Sequence, residues 1–588
     1  MRFAQLSGFL ALSLLPMIFD MRCADPISEP KLCCWLLASA LAGVVANRSW
    51  SLAQRFFAAW FVWSLCSCLY NGIITGWTEL LMMAAGLIWV RAEVPGRERW
   101  LALGFGATVA YSWVQRLGLD PFSWSDWELS RMRTIAGLGN PNFLSMYLAC
   151  LFPWVWSRLY LRGWPGWLLA TLCLLTLLMT STRGSIFCLL AMLIIATAWV
   201  LVRQRRLTHF WILSWCLFAL AWGVSWKLTA RQTRAFADQM QALARGKDES
   251  VDARRLLWSA AWGVSQRSPW LGVGFGHFGD AYLLHRPLEP ENLRKRSRRP
   301  EDPHSEPLRV LSETGWIGLL CWSAWIGLAL RSHWRNPGPW TACFMVLLAN
   351  SLSNCLPIAV LPLLLIFTDP GAPERPPGPV RPARLWLIPI ALLLGVSGWL
   401  MQRIFWWDDE LRLRAESDPG RALDYFQDRV ARLGAAEAYC PPWEQLSLTI
   451  RQLDAWQSLA RTGRFQVAWE QAERAARRRV ALDPANSFAW IGVAALYEKQ
   501  GRWAEAVTYW QEAQRRDSIN PGTLYFLGRA QYGAGQVQDA LRSLDRSLEI
   551  YSKSRQVYRF REQIMIEQGM VWEGYWDWVG SQQLLEDE

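Results

Sequence analysis

The sequence predicts an all-α protein: a polytopic membrane helix bundle of about 12–13 spans, followed by a soluble helical-repeat α-solenoid. Three observations predict it. Of the 588 residues, 52% are hydrophobic and only 19% charged, with 40 Trp; a soluble chain averages roughly a quarter charged. The mean hydropathy is nevertheless only +0.08, so a wet part must offset an apolar one. The apolar runs stop near residue 405, where Ala, Glu, Arg and Gln in helical periodicity take over. These numbers exclude a disordered chain, a collagen and a small disulfide scaffold, and argue against a purely soluble enzyme.

About 13 runs approach the ~20 apolar residues that a spanning helix needs. They centre near Leu10, Leu41, Phe61, Met83, Phe105, Leu151, Leu174, Leu193, Leu213, Leu320, Val346, Leu363 and Leu392. The first begins with Arg2 and has no small-residue cleavage site after it, so it reads as a retained anchor. With the N-terminus inside, the short inner loops hold roughly 16 positive charges against about six outside, as the positive-inside rule expects. The outer ones are Arg22, Lys31, Arg116, Arg131, Arg133 and Arg183. An odd number of spans then puts the C-terminus outside, whether Thr341–Thr368 forms two spans or one re-entrant hairpin. The net charge of +12 is read first as this topology. Two outer loops are long, about 116–142 and 229–307. The second, about 80 residues, exceeds any usual structureless connector. Its stretches Arg231–Ala244 and Val251–Gln266 have helical apolar spacing, predicting short helices over the membrane face. The 13 Cys lie mostly in apolar runs without a CxxC pair, which points to neither zinc nor a disulfide framework.

The expected domains are therefore a membrane unit over 1–405, whose outer loop 229–307 carries part of the site, and a repeat unit over 408–588. Gly501, Gly535 and Gly569 recur at about 34 residues, the tetratricopeptide period. Around Gly501 the small/large pattern is nearly complete, with Trp490, Ala494 and Tyr497 on one helix and Ala506, Trp510 and Ala513 on the next. The preceding repeat ends at Asp483–Pro484 with a second helix about one turn longer; the Trp-rich segment after Gly569 reads as a terminal cap. Such a groove binds a peptide or partner protein and does no chemistry itself.

Three outer stretches carry candidate chemistry. In Arg133–Leu148 (RTIAGLGNPNFLSMYL), Gly137 and Gly139 permit tight backbone, and Asn140–Pro141–Asn142 suits a helix cap. In Thr180–Ser185 (TSTRGS), Arg183 sits at a span boundary on the side that disfavours cations; a snorkelling flank residue would look the same. The third runs from DARRLLW (Asp252–Trp258) through SPWLGVGFGHFGDAY (Ser268–Tyr282) to PHSEPLRVLSETGWIGLL (Pro303–Leu320). Of five His in the chain, His277, His285 and His304 fall outside. A basic run, Arg294–Arg299, suits solvent or anionic headgroups, and nucleic acid is not expected on that face.

Together these stretches resemble the O-antigen ligase/polymerase superfamily of membrane glycosyltransferases, over roughly residues 70–370. The matching elements are the R…GNPN segment, the S-x-R-G span start, the R-x-x-x-W helix (Arg254, Trp258), the P-W-L-G-V-G-F-G turn (Pro269–Gly276), and His304, Leu308, Glu313, Gly315 and Gly318. Ala136 stands where Gly is common, and Ser305 where Asn often follows the His. The resemblance implies a GT-C-like membrane architecture and transfer of a glycan from an undecaprenyl-diphosphate carrier to an acceptor outside the bacterial inner membrane. It implies His304 as base with Arg183 and Arg254 holding the diphosphate. Arg133 and Arg255 are further phosphate contacts, and Asn140, Asn142 and Glu313 further substrate contacts. It implies no metal and no other cofactor, and no D-x-D in the outer loops argues otherwise.

The residue chemistry agrees. A guanidinium binds a leaving diphosphate bidentately without deprotonating, and an imidazole takes a hydroxyl proton near neutral pH. Three acceptors compete: a lipid core, the growing glycan, or protein hydroxyls. The solenoid tilts the choice away from the first. Two rival readings are a bicarbonate-type transporter, which should show repeated halves with midplane charges, and a scaffold for surface-polysaccharide assembly, which would need none of the His304–Arg183–Arg254 set.

Overall fold

A computed structural model describes residues 2–47, 49–71, 77–92, 94–122, 134–204, 209–228, 241, 245, 249–285, 300, 302–335, 337–368, 381–441, 444–463, 466–484 and 486–570. Among the described residues every regular element is a helix, and there is no strand. The first half contains α1 (Arg2–Gly8, continued by a π-helical stretch to Leu14), α2 (Ser28–Val45), α3 (Leu52–Asn71), α4 (Trp77–Trp89) and α5 (Arg97–Arg116). Then come α6 (Pro141–Leu159), α7 (Trp164–Met179), α8 (Arg183–Gln204), α9 (His209–Leu228), α10 (Glu249–Arg267) and α11 (Phe278–His285). They are followed by α12 (Glu306–Arg335), α13 (Pro339–Ser351), α14 (Leu361–Phe367) and α15 (Leu387–Ser417). Every apolar run picked out in the sequence lies on one of these helices or, at Leu10, on the π-helical continuation. The Val251–Gln266 expectation is α10, whereas Arg231–Ala244 and Arg294–Arg299 lie outside the described residues apart from Gln241.

Among the described residues, α2, α3, α8 and the stretch Pro382–Ser417 are long and apolar enough to cross a membrane, by length and composition. They hold different places in the bundle. The span window of α2 is 89% buried, whereas that of α8 is 28% buried. α8 turns Ile194, Ile195, Trp199 and Val202 outward, the pattern of a helix whose outer face meets lipid. Bundle helices have little hydrophobic drive to associate in lipid, so interhelical hydrogen bonds matter. Here the indole N–H supplies them. Trp35 donates to the Met82 carbonyl at 3.1 Å, Trp63 to Thr314 O at 2.9 Å, Trp113 to Thr176 Oγ1 at 3.1 Å and Trp156 to Ser214 Oγ at 2.7 Å. Trp325 stacks on Phe57 at 4.5 Å in the same core. Part of the Trp excess is thus cross-helix packing with a polar handle.

α13 and α14 form a short hairpin. At about 1.5 Å per residue, α13 is roughly 20 Å long, less than the ~30 Å hydrocarbon layer. His333, near the end of α12, closes its base: Nδ1 lies 3.1 Å from Thr341 Oγ1, and Nε2 lies 2.6 Å from the Phe367 carbonyl. The ends of the hairpin therefore meet, and its tip, residues 352–357, projects to the opposite end.

α15 is one continuous helix of 31 residues. The composition change at 405–408 falls inside it, not in a linker. Its lower half is fixed by charge. Arg429 Nε donates to Asp408 Oδ1 at 2.7 Å with both side chains buried, and Nη2 reaches Asp454 at 3.0 Å. The second half continues with α16 (Ala422–Ala436), α17 (Gln445–Gly463), α18 (Gln466–Leu482), α19 (Ser487–Lys499), α20 (Trp503–Arg516), α21 (Pro521–Gly533), α22 (Val537–Ile550) and α23 (Arg555–Glu567). The starts of α19, α21 and α23 follow the 34-residue period, as do those of α20 and α22. α18 has 17 residues against 14 in α20, the extra turn expected of the preceding repeat. Ala494, Ala506 and Ala513 are fully buried against Tyr497 and Trp510, and Trp510 stacks on Phe526 at 5.2 Å. The repeat turns place Gly501, Gly535 and Gly569 at φ of 71°, 78° and 78°.

Gly535 tests this turn. Nothing lies within 4 Å of a Cβ added there, so Gly535→Ala costs only the left-handed backbone, about 1–2 kcal/mol. Limited proteolysis of the full chain should cut faster around α21–α22; undiminished resistance would contradict the turn.

Candidate active site

Among the described residues, three non-glycine residues adopt left-handed φ: Ala136 at 48°, Ser181 at 51° and His304 at 50°. Each falls in one of the three outer stretches singled out by sequence. The conformation costs an L-residue about 1–2 kcal/mol, and strain of this kind gathers at functional sites. The Gln115 side-chain carbonyl accepts from Ala136 N at 2.8 Å and Ile135 N at 3.2 Å, which holds the bend.

Asn140 is the N-cap of α6, and its side chain accepts from Asn142 N at 2.8 Å. Its first duty is therefore structural. Asn142 faces the next segment, where its Oδ1 lies 3.4 Å from Thr182 Oγ1, one residue before Arg183. A buried polar chain fixes this junction: the Ser145 and Ser185 hydroxyls are 2.8 Å apart, and Ser185 donates to Asn350 Oδ1 at 2.7 Å. Arg183 opens α8 half-buried, at the positive end of the helix dipole. Arg133 lies outside the described residues.

His304 precedes α12 and is half exposed, at 50% of its side chain. Its backbone N–H donates to Asp302 Oδ1 at 2.7 Å, and the same oxygen lies 3.4 Å from its Nδ1. The carboxylate thus holds the strained backbone and lies near one ring nitrogen, a pairing that sequence reading missed. The signal was present, since an Asp two residues ahead is the signature of an Asx turn. Behind His304, Arg309 Nη2 donates to Glu306 Oε1 at 2.7 Å, while Glu306 Oε2 accepts from Leu356 N at 3.1 Å on the hairpin tip. The same tip reaches the α8 start, where a Cβ on Gly184 would lie 3.6 Å from Ser353 Oγ. The hairpin tip therefore bridges the Arg183 segment and the His304 segment, and sequence reading gave it no role.

The glycines of the turn have a defined use. α12 kinks at Gly315, φ 69°. Trp316 N donates to Pro269 O at 2.7 Å, and Gly274 N to Glu313 O at 3.0 Å. A Cβ on Gly272 would stand 2.3 Å from Glu313 O, and one on Gly315 would stand 2.3 Å from Trp270 O. The two strands of backbone touch, leaving no room for side chains. Glu313 is 1% exposed, with Oε1 3.4 Å from Phe278 N at the head of α11. Its carboxylate faces this turn, so it positions the loop. Arg254 is half-buried on α10, with Nη1 donating to Ser250 Oγ at 3.1 Å; Arg255 beside it is exposed. α10 packs on α12 through the Trp262 and Trp316 rings, 6.4 Å apart.

The solenoid shares this side of the bundle. Phe488 packs against the apolar cluster that Ala260 and Ala261 of α10 form with Phe278, Tyr282 and Leu283 of α11. Gln402 on α15 binds Asp25 N at 2.9 Å in the α1–α2 loop and donates to Glu444 at 2.8 Å in the solenoid.

Residues 168–323 match a family model described as O-antigen ligase. Over that stretch the chain is similar to the O-antigen ligase family. That match spans α7 to the middle of α12 and so contains Arg183, Arg254, Arg255, His304 and Glu313. It supports glycan transfer in general, by a membrane-associated protein. No curated protein matches the chain. Among solved structures, the chain is similar to MamA at 13% identity, covering 29% of this chain and 94% of that one with a TM-score of 0.25. MamA 41-end from Desulfovibrio magneticus RS-1 gives 11% identity, 31% and 96% coverage and a TM-score of 0.25.

Proposed function

We propose that the protein transfers a glycan from an undecaprenyl-diphosphate carrier to an acceptor hydroxyl at the outer face of the inner membrane, by in-line displacement with inversion. The acceptor oxygen attacks the sugar carbon as the bond to the diphosphate oxygen breaks. The hydroxyl proton passes to Nε2 of His304, and Asp302 stabilises the imidazolium that forms. Arg183 and Arg254 receive the negative charge on the departing diphosphate, with Arg133 and Arg255 as outer phosphate contacts. Asn142, beside Arg183, contacts the donor; Asn140 and Glu313 hold the backbone that places these groups. The observation that carries this reading is the half-exposed His304, held in a left-handed bend by Asp302 and joined through the hairpin tip to the Arg183 segment.

The membrane unit (1–405) does the chemistry, and the solenoid (408–588), on the periplasmic side, docks the acceptor. Its position beside α10 and α11 favours a polymeric or protein acceptor over a small lipid core. Deleting the gene and examining surface glycans tests this. Loss of chain length identifies a polymerase, loss of attachment a ligase, and loss of glycoprotein a protein transferase. An unchanged glycome with altered ion uptake would overturn the proposal.

A further inference from the structure

His277 and Asp280 of the loop meet Asp483 of the solenoid in a buried cluster. Their exposures are 6%, 3% and 4%. His277 Nδ1 lies 3.0 Å from Asp280 Oδ2, and one ligand atom from each of the three lies within 4.8 Å of the others. Two atoms bound to one cation at about 2.0–2.2 Å stand at most ~4.4 Å apart. A shift of a few tenths of an ångström closes the set. The two carboxylates and the imidazole carry two negative charges between them when the ring is neutral, which a divalent cation matches. An imidazole with carboxylates suits Zn²⁺ or Mn²⁺ better than the all-oxygen preference of Ca²⁺ or Mg²⁺.

The repeat itself supplies a comparison. Asp517 is the counterpart of Asp483 one period on. Asn486 donates to Asp483 Oδ2 at 2.9 Å, as Asn520 donates to Asp517 Oδ2 at 2.9 Å. The shared Asp–Asn pair is therefore ordinary repeat structure. What differs is the outward neighbour: Phe488, packed on α10 and α11, stands where the next repeat has Gly522, and His277 and Asp280 stand before Asp483. One repeat has been fitted to the loop.

We propose that His277, Asp280 and Asp483 bind a first-row divalent cation, Zn²⁺ or Mn²⁺, with water completing the shell, and that this ion staples the solenoid to α11. α11 in turn begins at Phe278, whose N–H meets Glu313, so the staple is one turn from the backbone that frames the candidate site. The test uses the full chain in detergent, stripped with chelator and titrated with Zn²⁺ alone and Mn²⁺ alone. One equivalent should bind, raise the melting temperature and slow proteolysis between the two halves. His277→Ala, Asp280→Asn and Asp483→Asn should each weaken binding tenfold or more, while Asp517→Asn leaves it unchanged. Absence of stoichiometric binding, or binding by the Asp483→Asn and Asp280→Asn variants as tight as wild type, would overturn the proposal and leave a simple ion pair.

Discussion

His304→Ala is expected to lower the turnover of glycan transfer by about 10²–10⁴-fold, the usual contribution of a positioned general base. The fold should not notice. Half of the side chain is in solvent, and the bend at φ 50° is held by the backbone N–H to Asp302, which an alanine keeps. Donor binding should persist as well, because the guanidinium groups proposed to meet the diphosphate are on other helices. The signature is thus a collapse in kcat with near-normal melting and near-normal retention of carrier-linked glycan in a vesicle-binding assay. Asp302→Asn separates two duties of one carboxylate. An amide oxygen can still accept from His304 N and preserve the bend, but it cannot neutralise an imidazolium. Its activity should fall between wild type and His304→Ala, with the melting temperature again unchanged. Transfer by His304→Ala within threefold of wild type would remove His304 from the chemistry.

The sequence makes the helices easy to find because their signals are local. Every apolar run lies within a stretch short enough for hydropathy to register, and the repeat glycines mark the turns whose left-handed φ only they adopt without cost. The junction between the halves is harder. A composition change suggests a boundary near 405, yet no Gly or Pro occurs from Trp399 to Ser417 to break the helix, and α15 runs through. Reading breakers before composition would have found it. The site divides the same way. Gly272 and Gly315 look like glycines that some close approach demands, but the partner of each lies some forty residues away in the chain, and no local pattern names it. Asn350 and the hairpin tip fall at the polar break between two apolar runs, which marks a turn but not its partners, so their link to Ser185 and Glu306 is legible only in three dimensions. The role of Trp is similar: composition shows the surplus, whereas the Met82 carbonyl that Trp35 reaches and the Ser214 hydroxyl that Trp156 reaches are on different helices.

Arg183→Gln should remove activity with a far smaller effect on stability, and the disproportion is the point. Arg183 is the first residue of α8, where the unpaired N–H groups already make the helix end positive. A cation there is disfavoured by about 0.3–1 kcal/mol. The preceding Ser181 adds left-handed strain, and Thr182 and Ser185 are both buried beside it. A residue selected for folding alone at such a position would be a carboxylate or a hydroxyl, not a guanidinium. An anion arriving there meets the helix end and the guanidinium together. Two charge-assisted hydrogen bonds at about 1.5–3 kcal/mol each correspond to roughly 10²–10⁴-fold in kcat/KM. Arg183→Lys should recover little of this, since an ammonium cannot present two parallel N–H groups to a diphosphate. The measurement pairs thermal unfolding in detergent with transfer kinetics on the same preparations. If melting temperature and activity fell together in Arg183→Gln, the side chain would be a structural tie of the α7–α8 turn, and the phosphate contact would have to be sought at Arg254.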